Sequence, residues 1–209
     1  MSKHEILNNV DHKALRVDTR PQAFSGNQQM CVLAIPSEFR DLQGEYPIFL
    51  HRDETSGSLL PMVMLGLEKG ENLFLGQNGW SATYLPLMVA RGPFLIGFQQ
   101  SSADQGAGKS KVISIDVEDP RVNDAKGEPL FQPFGGNSSY TDHVAEVLQR
   151  IDQGQADIQR LGEALDRHEL VEPFSLEIKL DSGVQHKMEG FYTIHEERLA
   201  SLEGDVLSE

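Results

Sequence analysis

Cysteine is almost missing from this chain. Cys31 is the only one in 209 residues, so no internal disulfide can form, and it lies in the apolar run Met30 to Ile35, where a thiol is a small buried hydrophobe in a reduced compartment. Long hydrophobic runs are missing too. The longest apolar stretches, Leu59 to Leu67 and Tyr84 to Phe98, are interrupted by proline and the second also by Arg91, so neither offers the roughly 18 apolar residues of a spanning helix. The N-terminal stretch MSKHEILNNVDHKAL lacks the apolar centre of a secretory signal, and the expected location is the cytoplasm. Basic residues are scarce, 18 against 32 acidic ones, and the shortage is uneven. Residues 1–115 hold 11 Asp and Glu against 10 Lys and Arg, whereas residues 116–209 hold 21 against 8. Such a field repels phosphate backbones and anionic lipid, so neither nucleic acid nor a membrane is an expected partner; a protein or small molecule is.

What remains is a composition able to build a core, with 39% hydrophobic and 24% charged residues. Short strands are expected over Ala14 to Val17, Met30 to Ile35 and Pro47 to His51, with a helical turn opened by Pro36. Leu59 to Gly66 and Asn72 to Leu75 read as a hairpin around Glu68 to Glu71. Phe94 to Phe98 and Val112 to Val117 read as two further strands, and Glu118 to Asn137, with three prolines and three glycines, as an irregular surface segment. Val144, Val147, Leu148, Ile151, Ile158, Leu161 and Leu165 recur at helical steps, which predicts a helix from about Ser139 to His168. Ser139 and Asp142 form a capping pair at its start, and Gly154 is a point where it could divide in two. Phe174 to Leu180 and His186 to Ile194 pair across Asp181 to Gly183, and Glu196 to Leu202 closes the pattern as a short helix. The fold class is α+β: mostly antiparallel strands, with one long helix or helix pair in the C-terminal third, in a single domain over residues 1–209.

Three groups of residues carry candidate chemistry. ADQGAGKS, Ala103 to Ser110, fits a relaxed phosphate-loop pattern, but the β-branched run after Lys111 reads as a strand where phosphate binding needs a helix. His51 and Asp53, two apart at a strand end, match part of the ligand set of a mononuclear iron oxygenase, with His143, His186 or His195 as the third ligand. The solvated strand end leading into a turn is the plain alternative. No cofactor is expected otherwise. The third group lies in Asn72 to Phe98, which holds the lone tryptophan. Trp80 and Tyr84 are either core or the wall of a groove for a sugar, peptide or protein, with Arg91 fixing an anionic group. Because Arg91 sits among Leu87, Met88, Val89, Ala90 and Phe94, its charge must reach water or find a carboxylate. No nucleophile elbow, Ser-His-Asp spacing or singled-out carboxylate pair is visible.

Ordered pieces along nearly the whole chain carry a resemblance. They include His12, Leu15 and Arg16; Pro36, Glu38 and Phe39; Tyr46-Pro47-Ile48-Phe49; Leu75-Gly76-Gln77-Asn78-Gly79-Trp80 with Tyr84, Pro86 and Arg91; Pro93-Phe94; Ile115-Asp116; Leu170 to Pro173; and Gly190-Phe191. Together they resemble the SapC family of bacterial proteins. The family pattern has a second basic residue and an aromatic before Pro-Phe, where this chain has Ala90 and Gly92. The resemblance implies a non-catalytic binding or accessory role in support of cell-surface (S-layer) biogenesis, and it brings no known reaction or ligand.

Overall fold

The computed structural model describes residues 2–20, 28–76, 78–99 and 110–204. Ala103 to Lys109 of the phosphate-loop pattern therefore lie outside the described residues, as does Gln77. The chain divides into two compact units: Met1–Asn27, Leu75–Ser81 and Leu87–Asp152 form the first, and Gln28–Phe74, Ala82–Pro86 and Gln153–Glu209 the second.

In the first unit, β1 (His4–Ile6), β9 (Ser110–Asp116) and β8 (Phe94–Gln99) make an antiparallel sheet in the order β1-β9-β8. Phe94 stands opposite Ile115, and Ile96 opposite Ile113, so β-branched and aromatic partners share one face. The strand expected after Lys111 is thus present. A second small sheet places β2 (Arg16–Val17) between β10 (Val122–Asn123) and β11 (Glu128–Pro129), two strands inside the segment read as irregular. Their two-residue length and polar content leave no periodicity to detect. Val17, Phe94, Ile115, Leu130, Val144 and Leu148 form the core, with Leu15, Val122, Phe131 and Tyr140 packed against it. At 2% exposure or less, Val17, Phe94, Ile115, Leu130 and Val144 are the groups whose removal from water drives this unit together.

The second unit is built on a five-stranded antiparallel sheet ordered β12-β13-β4-β5-β3, from β3 (Cys31–Leu33), β4 (Ile48–Arg52), β5 (Leu59–Met64), β12 (Val171–Lys179) and β13 (Gln185–Ile194). The β12–β13 pairing matches the expected hairpin. The hairpin expected for Leu59 to Leu75 does not form. β5 pairs instead with β4 and β3, while Leu75–Gly76 (β6) pairs with Gly79–Trp80 (β7). Glu71 explains the difference: its carboxylate accepts the Leu67 N–H at 2.8 Å and closes a local turn, leaving one backbone bond, Leu73 N–H to the Leu65 carbonyl, between the two segments.

The long helix is α3 (Ser139–Arg167), and it is unbroken. Its first part, through Asp152, belongs to the first unit and the remainder to the second. Its cap lies one residue earlier than the sequence suggests: the Ser138 hydroxyl accepts the Thr141 N–H, and Asp142 serves instead as acceptor for the Asn137 side-chain amide. Among the described residues no helix is long and apolar enough to cross a membrane.

Gly154 and Gly162 do not break α3, because both are positions of close approach. A β-carbon at Gly154 would lie 2.2 Å from Cγ2 of the fully buried Ile35, and one at Gly162 would lie 2.9 Å from the Leu59 carbonyl oxygen. Packing therefore repays what glycine costs in helix propensity, about 1 kcal/mol each. Gly154→Ala should lower stability by about 1–3 kcal/mol, although alanine is the better helix former. Denaturant unfolding of the variant checks this, and a gain near 1 kcal/mol would show that the contact is slack.

Candidate functional site

Trp80 on β7 and Arg91 belong to the first unit, Tyr84 to the second. Trp80 and Tyr84 are both half-buried. Tyr84 donates its hydroxyl to Oε2 of Glu38 at 3.0 Å, and its carbonyl accepts the Tyr46 hydroxyl. Glu38, wholly buried, also accepts the Ile35 N–H at 2.9 Å through Oε1, half of a capping box at the 3-10 turn Pro36–Glu38. Glu45 binds the next residue along, accepting the Thr83 N–H at 2.7 Å, and the bond from Thr83 holds its carboxyl below the usual range. Tyr84 is thus committed to a buried carboxylate that the sequence alone does not single out. The spacing Pro36-x-Glu38 directly after the apolar run Met30 to Ile35 was its available signal.

His51 and Asp53 are not drawn into a metal-like set. The His51 ring contacts the Gly190 carbonyl through Nδ1 at 3.3 Å. Asp53 Oδ2 accepts both the Ser56 hydroxyl and the Ser56 N–H, each at 2.7 Å, and these bonds hold its carboxyl below the ordinary value. The carboxylate therefore closes the β4–β5 turn. His195 is occupied as well, accepting the Arg198 N–H at the start of α4 (Glu196–Ala200), His186 lies 4.0 Å from Glu68, and His143 is exposed on α3. Among the described residues no three His, Cys, Asp or Glu side chains are grouped to hold an ion.

Arg91 has the most unusual surroundings. The four-residue helix α2 (Leu87–Ala90) ends at it, and the chain turns at Gly92, with φ +59°, into β8. Its Nη1 donates to the Phe94 carbonyl at 2.7 Å, while Nε is buried with no partner among the described residues. The expected carboxylate stands nearby but belongs to another residue. Asp119 accepts Arg121 in bidentate fashion, Nε to Oδ1 at 2.9 Å and Nη2 to Oδ2 at 2.7 Å, and Arg121 is only 6% exposed. Two guanidiniums therefore face one carboxylate. Burial lowers the pKa of Arg91, and the charge of Arg121 lowers it further, with Asp119 opposing. Burial pushes Asp119 up, but the bonds and charge of Arg121 outweigh it and hold the carboxyl below its usual range.

Tyr140, on the first turn of α3, completes the cluster. Its ring meets Phe94 edge-on at 6.1 Å, and burial pushes its hydroxyl up to about 12. A β-carbon at Gly92 would lie 3.7 Å from the Tyr140 hydroxyl and 3.9 Å from Arg121 Nη1, so those two groups and the Arg91 backbone converge on the space that glycine leaves open. Sequence reading missed Asp119, Arg121 and Tyr140 because they lie 28 to 49 positions beyond Arg91, the first two in a segment without periodicity and the third at the start of a helix predicted for its apolar face. Chemically these residues offer two guanidiniums around one carboxylate with a phenolic donor beside them, partly buried, which is donor chemistry suited to an anion.

The Glu38 network makes a separate, structural prediction. Tyr84→Phe removes one donor from a fully buried carboxylate and should cost about 1–3 kcal/mol. Denaturant unfolding measures it, and a loss under about 0.5 kcal/mol would show that water replaces the hydroxyl.

No curated protein and no solved structure matches the chain. A family model described as SapC does, over residues 7–209, which include the Arg91 cluster and the Glu38–Tyr84 network alike. With all but the first six residues matched, the chain belongs to the SapC family.

Proposed function

We propose that this protein is a non-catalytic binding or accessory protein that supports cell-surface, S-layer, biogenesis from the cytoplasm, and that it holds an anionic group of its partner at Arg91. The observation that carries the reading is the buried Nε of Arg91, unpartnered among the described residues, beside a second guanidinium. A folded chain gains nothing from that arrangement by itself. Desolvation and like-charge repulsion both oppose it, and an apolar residue would be tolerated better. An incoming carboxylate or phosphate oxygen removes both penalties by supplying the missing acceptor. The group it takes is small, a single carboxylate or phosphate on a metabolite or side chain, because what is missing at Arg91 is one acceptor. The iron alternative at His51 and Asp53 gains no support from a carboxylate already bound to Ser56.

Arg91→Met separates a binding role from a structural one. The variant should be as stable as the parent, or up to about 2 kcal/mol more stable, and should lose the saturable rise in melting temperature that inorganic phosphate gives the parent. Thermal unfolding at constant ionic strength, with chloride as the control, reads both. A loss of about 3 kcal/mol or more, with phosphate acting equally on parent and variant, would make Arg91 a structural residue and end the proposal.

A further inference from the structure

Only one side of the Arg91 guanidinium is in use. Nη1 donates to the Phe94 carbonyl at 2.7 Å, and among the described residues this is the side chain's only hydrogen bond. What is left is the other edge, where the Nε–H and one Nη2–H of any arginine point the same way and match two oxygens held in one plane. On that edge Nε is buried without a partner among the described residues, while the residue as a whole is half-buried.

The neighbouring arginine shows what such an edge takes. Arg121 grips Asp119 through the same two atoms, Nε to Oδ1 at 2.9 Å and Nη2 to Oδ2 at 2.7 Å, so a single carboxylate meets both donors and both of its oxygens are answered. Asp119 is thereby taken, and Arg91 keeps the same edge open.

Charge sets the second condition. The charges that bear on Arg91 are those of Arg121 and Asp119, and two guanidiniums with one carboxylate leave a single positive charge. Burial makes that remainder matter, since an excess charge of either sign is more costly away from water. One carboxylate brings the group to neutrality. A phosphate dianion takes it past neutrality, sets a second charge against Asp119, and adds oxygens for which that edge has no further donor. Tyr140 leaves the count unchanged, because burial pushes its hydroxyl up to about 12 and keeps it neutral.

We infer, building on the anion-holding role proposed above for Arg91, that its ligand is one carboxylate, taken side-on by Nε and Nη2 as Arg121 takes Asp119. The carboxylate belongs to a small organic acid or to a polypeptide. Acetate and inorganic phosphate separate this from a general anion site. Thermal unfolding of the full chain, with ionic strength held constant by chloride and Arg91→Met as the blank, gives each dissociation constant from the saturable rise in melting temperature. Between about pH 6 and about pH 8 phosphate passes from mainly one charge to mainly two, whereas acetate keeps one, so acetate binding should hold constant while phosphate binding weakens about fivefold. Asp119, held below its usual range, and Tyr140, at about 12, do not titrate in that window. Arg91→Lys keeps the charge but has no such edge, and should bind acetate roughly tenfold more weakly. N-acetylalanine carries the carboxylate at a chain end and the α-amide of N-acetylglutamate carries it on a side chain. Tighter binding of either than of acetate places the ligand on a polypeptide, and binding no tighter places it on a small acid. Acetate that fails to bind where phosphate does, phosphate binding that holds or tightens at the higher pH, or an Arg91→Lys chain that binds acetate as the parent does would each overturn the inference and leave Arg91 an anion site. Acetate and phosphate that act equally on the parent and on Arg91→Met would end the anion-holding reading itself.

Discussion

One helix has to satisfy two cores. Along its 29 residues α3 gives Val144 and Leu148 to the core of the first unit and Leu165 to a core of the second, together with Leu50, Leu59 and Leu170. A single amphipathic stripe can do this only if the helix is continuous and if its second half can come close to its sheet. Gly154 against Ile35 and Gly162 against the Leu59 backbone provide the second condition. The glycines exchange some intrinsic helix stability for contact, and the contact outweighs that loss where the neighbours are Ile35 at 0% exposure and Leu59 at 2%.

Buried charge is treated in three different ways. Glu38 is enclosed and answered by a backbone N–H and by Tyr84, so its desolvation is compensated within the fold. Arg121 is enclosed and answered by both oxygens of Asp119. Arg91 is answered by one carbonyl, and its Nε by nothing among the described residues. The first two are what structural ion burial requires. The third falls short by one acceptor, beside Gly92 and the phenol of Tyr140. The fold could have satisfied Arg91 by a single nearby carboxylate, yet Asp119, which stands there, is taken by Arg121.

The readable part of the sequence was the part with periodicity. The helical spacing of Val144 to Leu165, the alternation of Phe174 to Ile178, and the β-branched run from Val112 to Ile115 each record a buried face, and each element is present. Elements held by pairing alone were not readable. β1, β10 and β11 are two or three residues long and mostly polar, and what fixes them is a partner strand distant in sequence, such as Val17 opposite Val122 and Glu128. The hairpin drawn through Glu68 to Glu71 failed for a local reason, the capture of the Leu67 N–H by Glu71, which outranks strand propensity over four residues. At the candidate site Arg91 was legible as a charge in an apolar run. Its neighbours were not, since Asp119, Arg121 and Tyr140 reach it only through tertiary structure. Tyr84 was legible only as an aromatic near Trp80, whereas the Glu38 carboxylate that its hydroxyl meets, 46 positions away, was not.

Among the described residues the Nε of Arg91 has no acceptor, and the guanidinium itself can report whether a ligand supplies one. A ¹H–¹⁵N spectrum of the arginine Nε–H groups, with Arg91 identified by its absence in Arg91→Met, can be followed through a titration with inorganic phosphate at constant ionic strength. The Arg91 signal should be protected from solvent exchange at the start and should move saturably as phosphate is added, with Arg121, already bound to Asp119, moving less. An Arg91 signal that stays fixed through the titration, or that exchanges as fast as an exposed arginine, would contradict anion capture at this residue.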